Sequence, residues 1–225
     1  MQLKHPSGID QRIVDKVVAR RGRLHAFEEL VPAKTALVVV DMDSATTRRM
    51  MDTDIMNIIT PINDVAAALR KAGGVVAWVT TPIQKAGANF RAIFGEKTAD
   101  MYEDEGKTGG EGTTLWHELD AKTDDMHVTK SSSSALFPGK SNLDELLKQK
   151  GIDTLLIVGV VTNVCCYATA IDGAALGYKV TMVSDAMQGQ SYGLGEAHLA
   201  TFFRVYGDVR PSSEVLKLIQ ETPKH

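Results

Sequence analysis

Three short apolar runs, rich in β-branched residues, limit what this chain can fold into: Ala36-Leu37-Val38-Val39-Val40, Val75-Val76-Ala77-Trp78-Val79 and Leu155-Leu156-Ile157-Val158. None alternates with polar residues, so each suits a strand buried on both faces, the kind that parallel sheets contain. Amphipathic stretches separate them. Strands alternating with helices imply right-handed crossovers and a parallel sheet covered by helices on both faces. The predicted fold class is therefore α/β: a single-domain, Rossmann-like parallel sheet of about six strands.

Along the chain, helices are expected over Ile9–Arg21, Ile55–Lys71, Asn142–Lys150, Asn163–Leu176, Glu196–Tyr206 and Ser212–Gln220. Strands are expected over Thr35–Val40, Val75–Thr80, Met126–Thr129, Asp153–Val158 and Lys179–Val183, with a short sixth near Val209. The segment from Gln84 to Gly112 is polar and glycine-rich, and reads as a long excursion with a helical piece around Arg91 to Tyr102.

The formal charge of −3 offers no basic field for nucleic acid. No apolar run is long enough to cross a bilayer. The first residues, Met1-Gln2-Leu3-Lys4-His5-Pro6, lack the apolar core of a secretion signal, so a cytoplasmic location is expected. The cysteines, Cys165 and Cys166, are adjacent and ill-placed for a disulfide with each other. The six histidines, His5, His25, His117, His127, His198 and His225, show no ligand spacing, so neither a metal nor another cofactor is expected.

In an open parallel sheet, ligands bind beyond the carboxyl ends of the strands. Asp41 ends the first strand, Lys130 ends the third, and Cys165 follows the fourth by a short turn. A carboxylate can take a thiol proton, a lysine can stabilise the resulting charge, and a thiolate can attack a carbonyl. Cys165 also falls in the first turn of a predicted helix, where the dipole favours the thiolate. By position near strand ends, Asp43, Trp78, Phe90, Trp116, Tyr167, Gln188, Gln190 and Tyr192 are candidate substrate-binding residues. Asp43 has two readings: it faces the pocket and favours neutral or cationic substrates, or it caps a turn.

Three motifs resemble those of isochorismatase-like cysteine hydrolases. They are Ala36-Leu37-Val38-Val39-Val40-Asp41-Met42, Lys130 with Ser134-Ala135-Leu136, and Gly159-Val160-Val161-Thr162-Asn163-Val164-Cys165. The likeness runs from about Lys34 to Ile219 and divides the chain into an N-terminal helical extension, 1–33, and a hydrolase domain, 34–225. Val17 to Phe27 resembles the extension of the carbamoyl- and ureido-type amidohydrolases. The resemblance implies catalysis by Asp41, Lys130 and Cys165, with Cys166 turned away on the helix. It also implies a non-proline cis peptide at Val161–Thr162, with backbone N–H groups near Val161 and Cys165 serving the oxyanion. The implied activity is cleavage of a C–N bond in a small amide, carbamoyl or ureido compound through a thioester. The alternatives are an isochorismatase-type vinyl-ether hydrolase and a thiol-redox protein. A homodimer or homotetramer is also implied, for which the apolar N-terminal helix would suit an interface.

The chain departs from the family where Asp41-Met42-Asp43-Ser44 stands in place of Asp-x-Gln-Asn. It also lacks, in Thr80-Thr81-Pro82-Ile83-Gln84-Lys85, the metal-binding aspartate and histidines that nicotinamidases carry.

Overall fold

A computed structural model describes residues 3–82, 86–107 and 114–221. Six parallel strands form one sheet in the order β3-β2-β1-β4-β5-β6. They are β1 (Thr35–Val40), β2 (Val75–Thr80), β3 (Met126–Thr129), β4 (Thr154–Val160), β5 (Lys179–Gln188) and β6 (Asp208–Arg210). Chain order reverses between β1 and β4, so the crevice of this sheet lies beyond their carboxyl ends.

The period of two along the strands divides the core into two layers. Ala36, Val38 and Val40 of β1 point to one face, where they join α1 (Gln11–Arg21), α6 (Leu143–Gln149), α7 (Tyr167–Ala175) and α8 (Tyr192–Val205). Leu37 and Val39 point to the other, against α3 (Ile59–Lys71) and α9 (Ser212–Glu221). All six residues of β1 are buried, as a central strand covered on both faces requires.

The apolar stripe of α1 is used within the chain. Val14 and Val17 are buried in the first core layer, with Ile13 and Val18 partly buried against it. His25, beyond α1, ties this segment down through Asp208 (Nδ1 to Oδ1, 3.0 Å) and Glu214 (Nε2 to Oε2, 3.3 Å).

Three regions differ most from expectation. A short helix, α2 (Ser44–Arg49), follows β1 directly; its sequence, SATTRR, has no apolar period and so gives no helical signal. The polar excursion forms two helices, α4 (Ala88–Phe94) and α5 (Glu96–Lys107), turning at Gly95, where φ is 82°. The remainder of that expectation, at residues 84–85 and 108–112, lies outside the described residues. Finally, β5 continues past Val183 to Gln188 through an irregularity in its pairing with β4 between Ile157 and Gly159.

Gly159 sits in β4 beside Val40 with φ 104°. A Cβ there would meet the Val40 carbonyl oxygen at 2.2 Å and its nitrogen at 2.8 Å. The close approach of the two central strands therefore requires glycine. Gly159→Ala is expected to cost about 2–5 kcal/mol, from a left-handed backbone and a clash with an immobile strand. Denaturant unfolding of the two proteins checks this; a cost below about 1 kcal/mol would mean the strands part easily.

Candidate active site

The end of β2 holds its two neighbours in place. The Asp41 N–H donates to the Val79 carbonyl (2.9 Å), and the Lys130 N–H donates to the Thr80 carbonyl (3.0 Å). These bonds bring the side chains that follow β1 and β3 over the strand between them. Lys130 Nζ lies 2.8 Å from Asp41 Oδ2, and both residues are buried. Thr81 Oγ1 donates to the other carboxylate oxygen, Oδ1, at 2.9 Å. Asp41 has φ 52°, a left-handed backbone that aspartate tolerates better than most residues.

Cys165 arrives from the other side of β1. After Val160 the chain enters one π-helical turn, Thr162–Cys166, before α7 begins. The turn points Cys165 at the carboxyl edge of the sheet, where Lys130 Nζ donates to its Sγ at 3.6 Å and the Asp41 carboxylate lies close enough to act on the thiol. Cys166 points into the core, fully buried, with Sγ 3.7 Å from the Val158 carbonyl oxygen.

The electrostatics are those of a protonated thiol. Burial, and then the Asp41 carboxylate, push Cys165 up to about 12, against the opposing pull of Lys130. This differs from the thiolate expected of a helix N-terminus: desolvation and a hydrogen-bonded carboxylate outweigh a dipole that acts only over the first turn. Burial alone would lower Lys130, but Asp41 and then Cys165 more than offset it and hold it above its ordinary value.

The three groups line a cavity of about 910 Å³. Of the other candidates, Asp43, Phe90, Gln190 and Val161 also line it. The remaining candidates lie elsewhere among the described residues. Trp78 points to the opposite core layer and donates its indole N–H to Asp125 (2.7 Å). Trp116 packs at the edge of that same layer. Tyr167 sits edge-on to His198 in the first layer, Gln188 donates to the Gly189 carbonyl, and Tyr192 is 81% exposed. Nearness to a strand end placed these residues in sequence, but the side-chain direction along each strand or helix sends them to other surfaces. Thr162 is buried and is not among the residues that line the cavity. The non-proline cis bond is Val160–Val161, one residue earlier than the resemblance implies.

Sequence reasoning missed Thr81, Arg49 and Tyr102, all of which line the cavity. Thr81 was open to detection, since it follows β2 beside the end of β1. Arg49 was not, because α2 carries no helical pattern. Among the described residues, no group of three or more histidine, cysteine, aspartate or glutamate side chains is arranged to hold a metal. No helix among them is long and apolar enough to cross a membrane.

The fold agrees with comparisons to known proteins. The isochorismatase domain matches residues 35–213, and the chain belongs to the isochorismatase family of hydrolases. The ureidoacrylate amidohydrolase RutB of Acinetobacter baylyi is 30% identical over 197 residues, covering 79% of this chain and 79% of that protein. The crystal structure of a cysteine hydrolase from Pseudomonas syringae pv. phaseolicola superposes with a TM-score of 0.75 at 25% identity, covering 88% of this chain and 98% of that one. The N-carbamoylsarcosine amidase of Thermoplasma acidophilum gives a TM-score of 0.63 at 26% identity, covering 80% and 96%.

Asp43 serves as the N-cap of α2, its carboxylate accepting from the Thr46 N–H at 2.8 Å. Burial, with a smaller contribution from Asp41, raises it from 3.8 to about 6 against the hydrogen bonds from Thr46. A raised carboxyl favours the folded state when protonated, so its contribution is complete below about 3.8 and lost as the pH climbs through about 6. Asparagine caps as well as aspartate and carries no charge. Asp43→Asn is therefore expected to gain about 1–3 kcal/mol at pH 7–8, with the gain shrinking to nothing near pH 4. Urea unfolding across that range reads it directly; a gain independent of pH would contradict the buried-charge account.

Proposed function

We propose that this chain is a cysteine-dependent amidohydrolase that cleaves a C–N bond of a small amide, carbamoyl or ureido compound through a thioester. The observation carrying this reading is the convergence of the Cys165 thiol, the Lys130 ammonium and the Asp41 carboxylate in one cavity. The names of the amidohydrolase relatives point the same way.

Because the resting thiol is protonated, proton transfer must accompany attack. Asp41 takes the Cys165 proton as Sγ bonds to the carbonyl carbon. Lys130 touches both partners and keeps the pair at a favourable net charge throughout. The N–H groups of Val161 and Cys165 are our choice of oxyanion donors. Collapse breaks the C–N bond, and the nitrogen leaves with the proton Asp41 carried. Water then gives a proton to Asp41 and attacks the thioester. The S–C bond breaks, the acid departs, and the thiol regains its proton.

The rival readings fit less well. A thiol-redox role needs Cys166 to reach a partner, and its sulfur is sealed in the core. Vinyl-ether hydrolysis leaves a thiol held between Asp41 and Lys130 without a task. Asp43 caps α2 and also lines the cavity, so its two sequence readings hold together.

Two predictions test the proposal. Cys165→Ser should abolish ammonia release from small amides, carbamoyl amino acids and ureas, while Cys166→Ser retains most of it. Intact-mass analysis of the wild type during turnover should show an acyl adduct at Cys165. Activity that survives in Cys165→Ser would overturn the thioester. Asp41→Asn and Lys130→Ala should each lower kcat/KM on the order of a hundredfold or more, as for a positioned proton carrier and its charge partner. Groups acting as one unit lose activity non-additively, so the double variant should be little worse than the poorer single one. Losses that multiply would mean the two act separately.

A further inference from the structure

Lys130 follows β3 and Cys165 follows β4, and two strands, β2 and β1, lie between them in the sheet. The strand ladder therefore does not join the lysine's strand to the nucleophile's directly. The 3.6 Å contact between Lys130 Nζ and Cys165 Sγ spans that gap, so its length depends on every register in between unless a link exists outside the ladder.

Thr169 supplies such a link. It lies one helical turn after Cys165, in α7, and is fully buried. Its hydroxyl donates to the Cys165 carbonyl at 2.7 Å and accepts from the Ala135 N–H at 3.0 Å. A threonine bonded to the carbonyl four residues back is common in helices and on its own says little. The second bond is different, because Ala135 stands 34 residues away in the loop that follows Lys130. A hydroxyl has one proton to donate and lone pairs to accept, so threonine fills both roles at once.

That loop is bonded to the lysine at its other end. Lys130 Nζ donates to the Ser132 carbonyl at 3.0 Å, Ser132 Oγ donates to the Ser134 carbonyl at 2.7 Å, and the Leu136 N–H donates to Ser134 Oγ at 3.1 Å. With Thr169 and the contact between Lys130 and Cys165, these bonds close a ring from ammonium to sulfur through the loop and α7. Packing holds the same joint. A Cβ at Gly173, one turn further along α7, would stand 3.2 Å from Leu136 Cδ1, so the bare glycine makes room for the loop. Thr169 itself is not among the residues that line the cavity.

We propose that Thr169 is a positioning residue: its hydroxyl clamps the lysine-bearing loop to the backbone of the nucleophile and so fixes the spacing of Lys130 Nζ and Cys165 Sγ. Its part in turnover rests on the amidohydrolase reading, whereas the clamp does not.

The test separates the two. Thr169→Val removes the hydroxyl at nearly constant shape, and Thr169→Ser keeps it. Cys165 is alkylated with iodoacetamide at fixed pH, with adducts located by peptide mapping, in proteins that carry Lys130 and in proteins that carry Lys130→Ala. Thermal unfolding sets a temperature at which all are folded. With the lysine present, Thr169→Val should slow alkylation about tenfold, as for weakening of a charge-assisted hydrogen bond, and Thr169→Ser should stay within about threefold of the wild type. Without the lysine, Thr169→Val should change the rate less than about twofold, because residues that act through one contact are not additive. An unchanged rate in Thr169→Val overturns the proposal. So does an equal loss with and without the lysine, which a merely structural role would give, and so does a serine variant as slow as the valine one. If Thr169→Val does not fold, Leu136→Ala, which loosens the seat of the loop on α7, goes through the same cycle against the same criteria. In amide hydrolysis, Thr169→Val should lower kcat about ten- to a hundredfold and leave KM within about twofold, as for a misplaced catalytic group with the cavity lining intact. If none of the proteins hydrolyses any amide yet the alkylation cycle behaves as expected, the amidohydrolase reading fails and the clamp stands.

Discussion

The buried ion pair between Asp41 and Lys130 is the constraint on which the rest of the site depends. Taking each charge out of water costs several kcal/mol, and only close pairing with further hydrogen bonds offsets it. Both conditions are met here: a 2.8 Å contact, a Thr81 hydroxyl on the second carboxylate oxygen, and the Ser132 carbonyl and Cys165 sulfur on the ammonium. Apart from Ser132, two residues past Lys130, those partners are far apart in sequence. They meet because β2 lies between β1 and β3 and hydrogen bonds to the first residue beyond each. A one-residue slip of either strand would leave a charge buried alone. The pair thus adds less to stability than to the uniqueness of the register.

The same pair sets the state of the nucleophile. A thiol beside a lone lysine would ionise easily, and one beside a lone carboxylate would not. Here the two charges act in opposite senses on Cys165, so burial decides, and the proton stays on sulfur. In the proposed mechanism that proton passes to the neighbouring carboxylate only when a carbonyl is in place to receive the sulfur. A permanently ionised thiol in an open cavity would be vulnerable to oxidation.

Much of this was legible in the sequence because the sheet is buried on both faces. A continuous apolar run ending at a polar residue marks a parallel strand and also where the strand leaves the sheet, and the bounds of β1, β2 and β3 match the sequence reading. The same signal located Asp41, Lys130 and Cys165. It says nothing about side-chain direction near a strand end, which is why Trp78 is buried in the core while Gln190 lines the cavity. It also fails for α2, whose polar sequence is held as a helix by the Asp43 cap and by a flanking segment. The Ser44 N–H donates to the Thr114 carbonyl, and the Trp116 N–H to the Met42 carbonyl.

The cavity therefore has a floor and walls of different origin. Sheet ends supply the floor, where position is dictated by strand register. The walls come from α2 and from the α4–α5 hairpin, whose Phe90, Phe94 and Tyr102 also line the cavity. Wall residues are tethered by side-chain contacts, such as Arg91 bridging Asp100 and Glu103, rather than by the sheet ladder. Such contacts can change one at a time without disturbing the register below. Only two residues, Met42 and Asp43, separate the catalytic carboxylate from the start of the α2 wall, and both are buried. A substitution at Asp43 would therefore reach the cavity floor through Asp41.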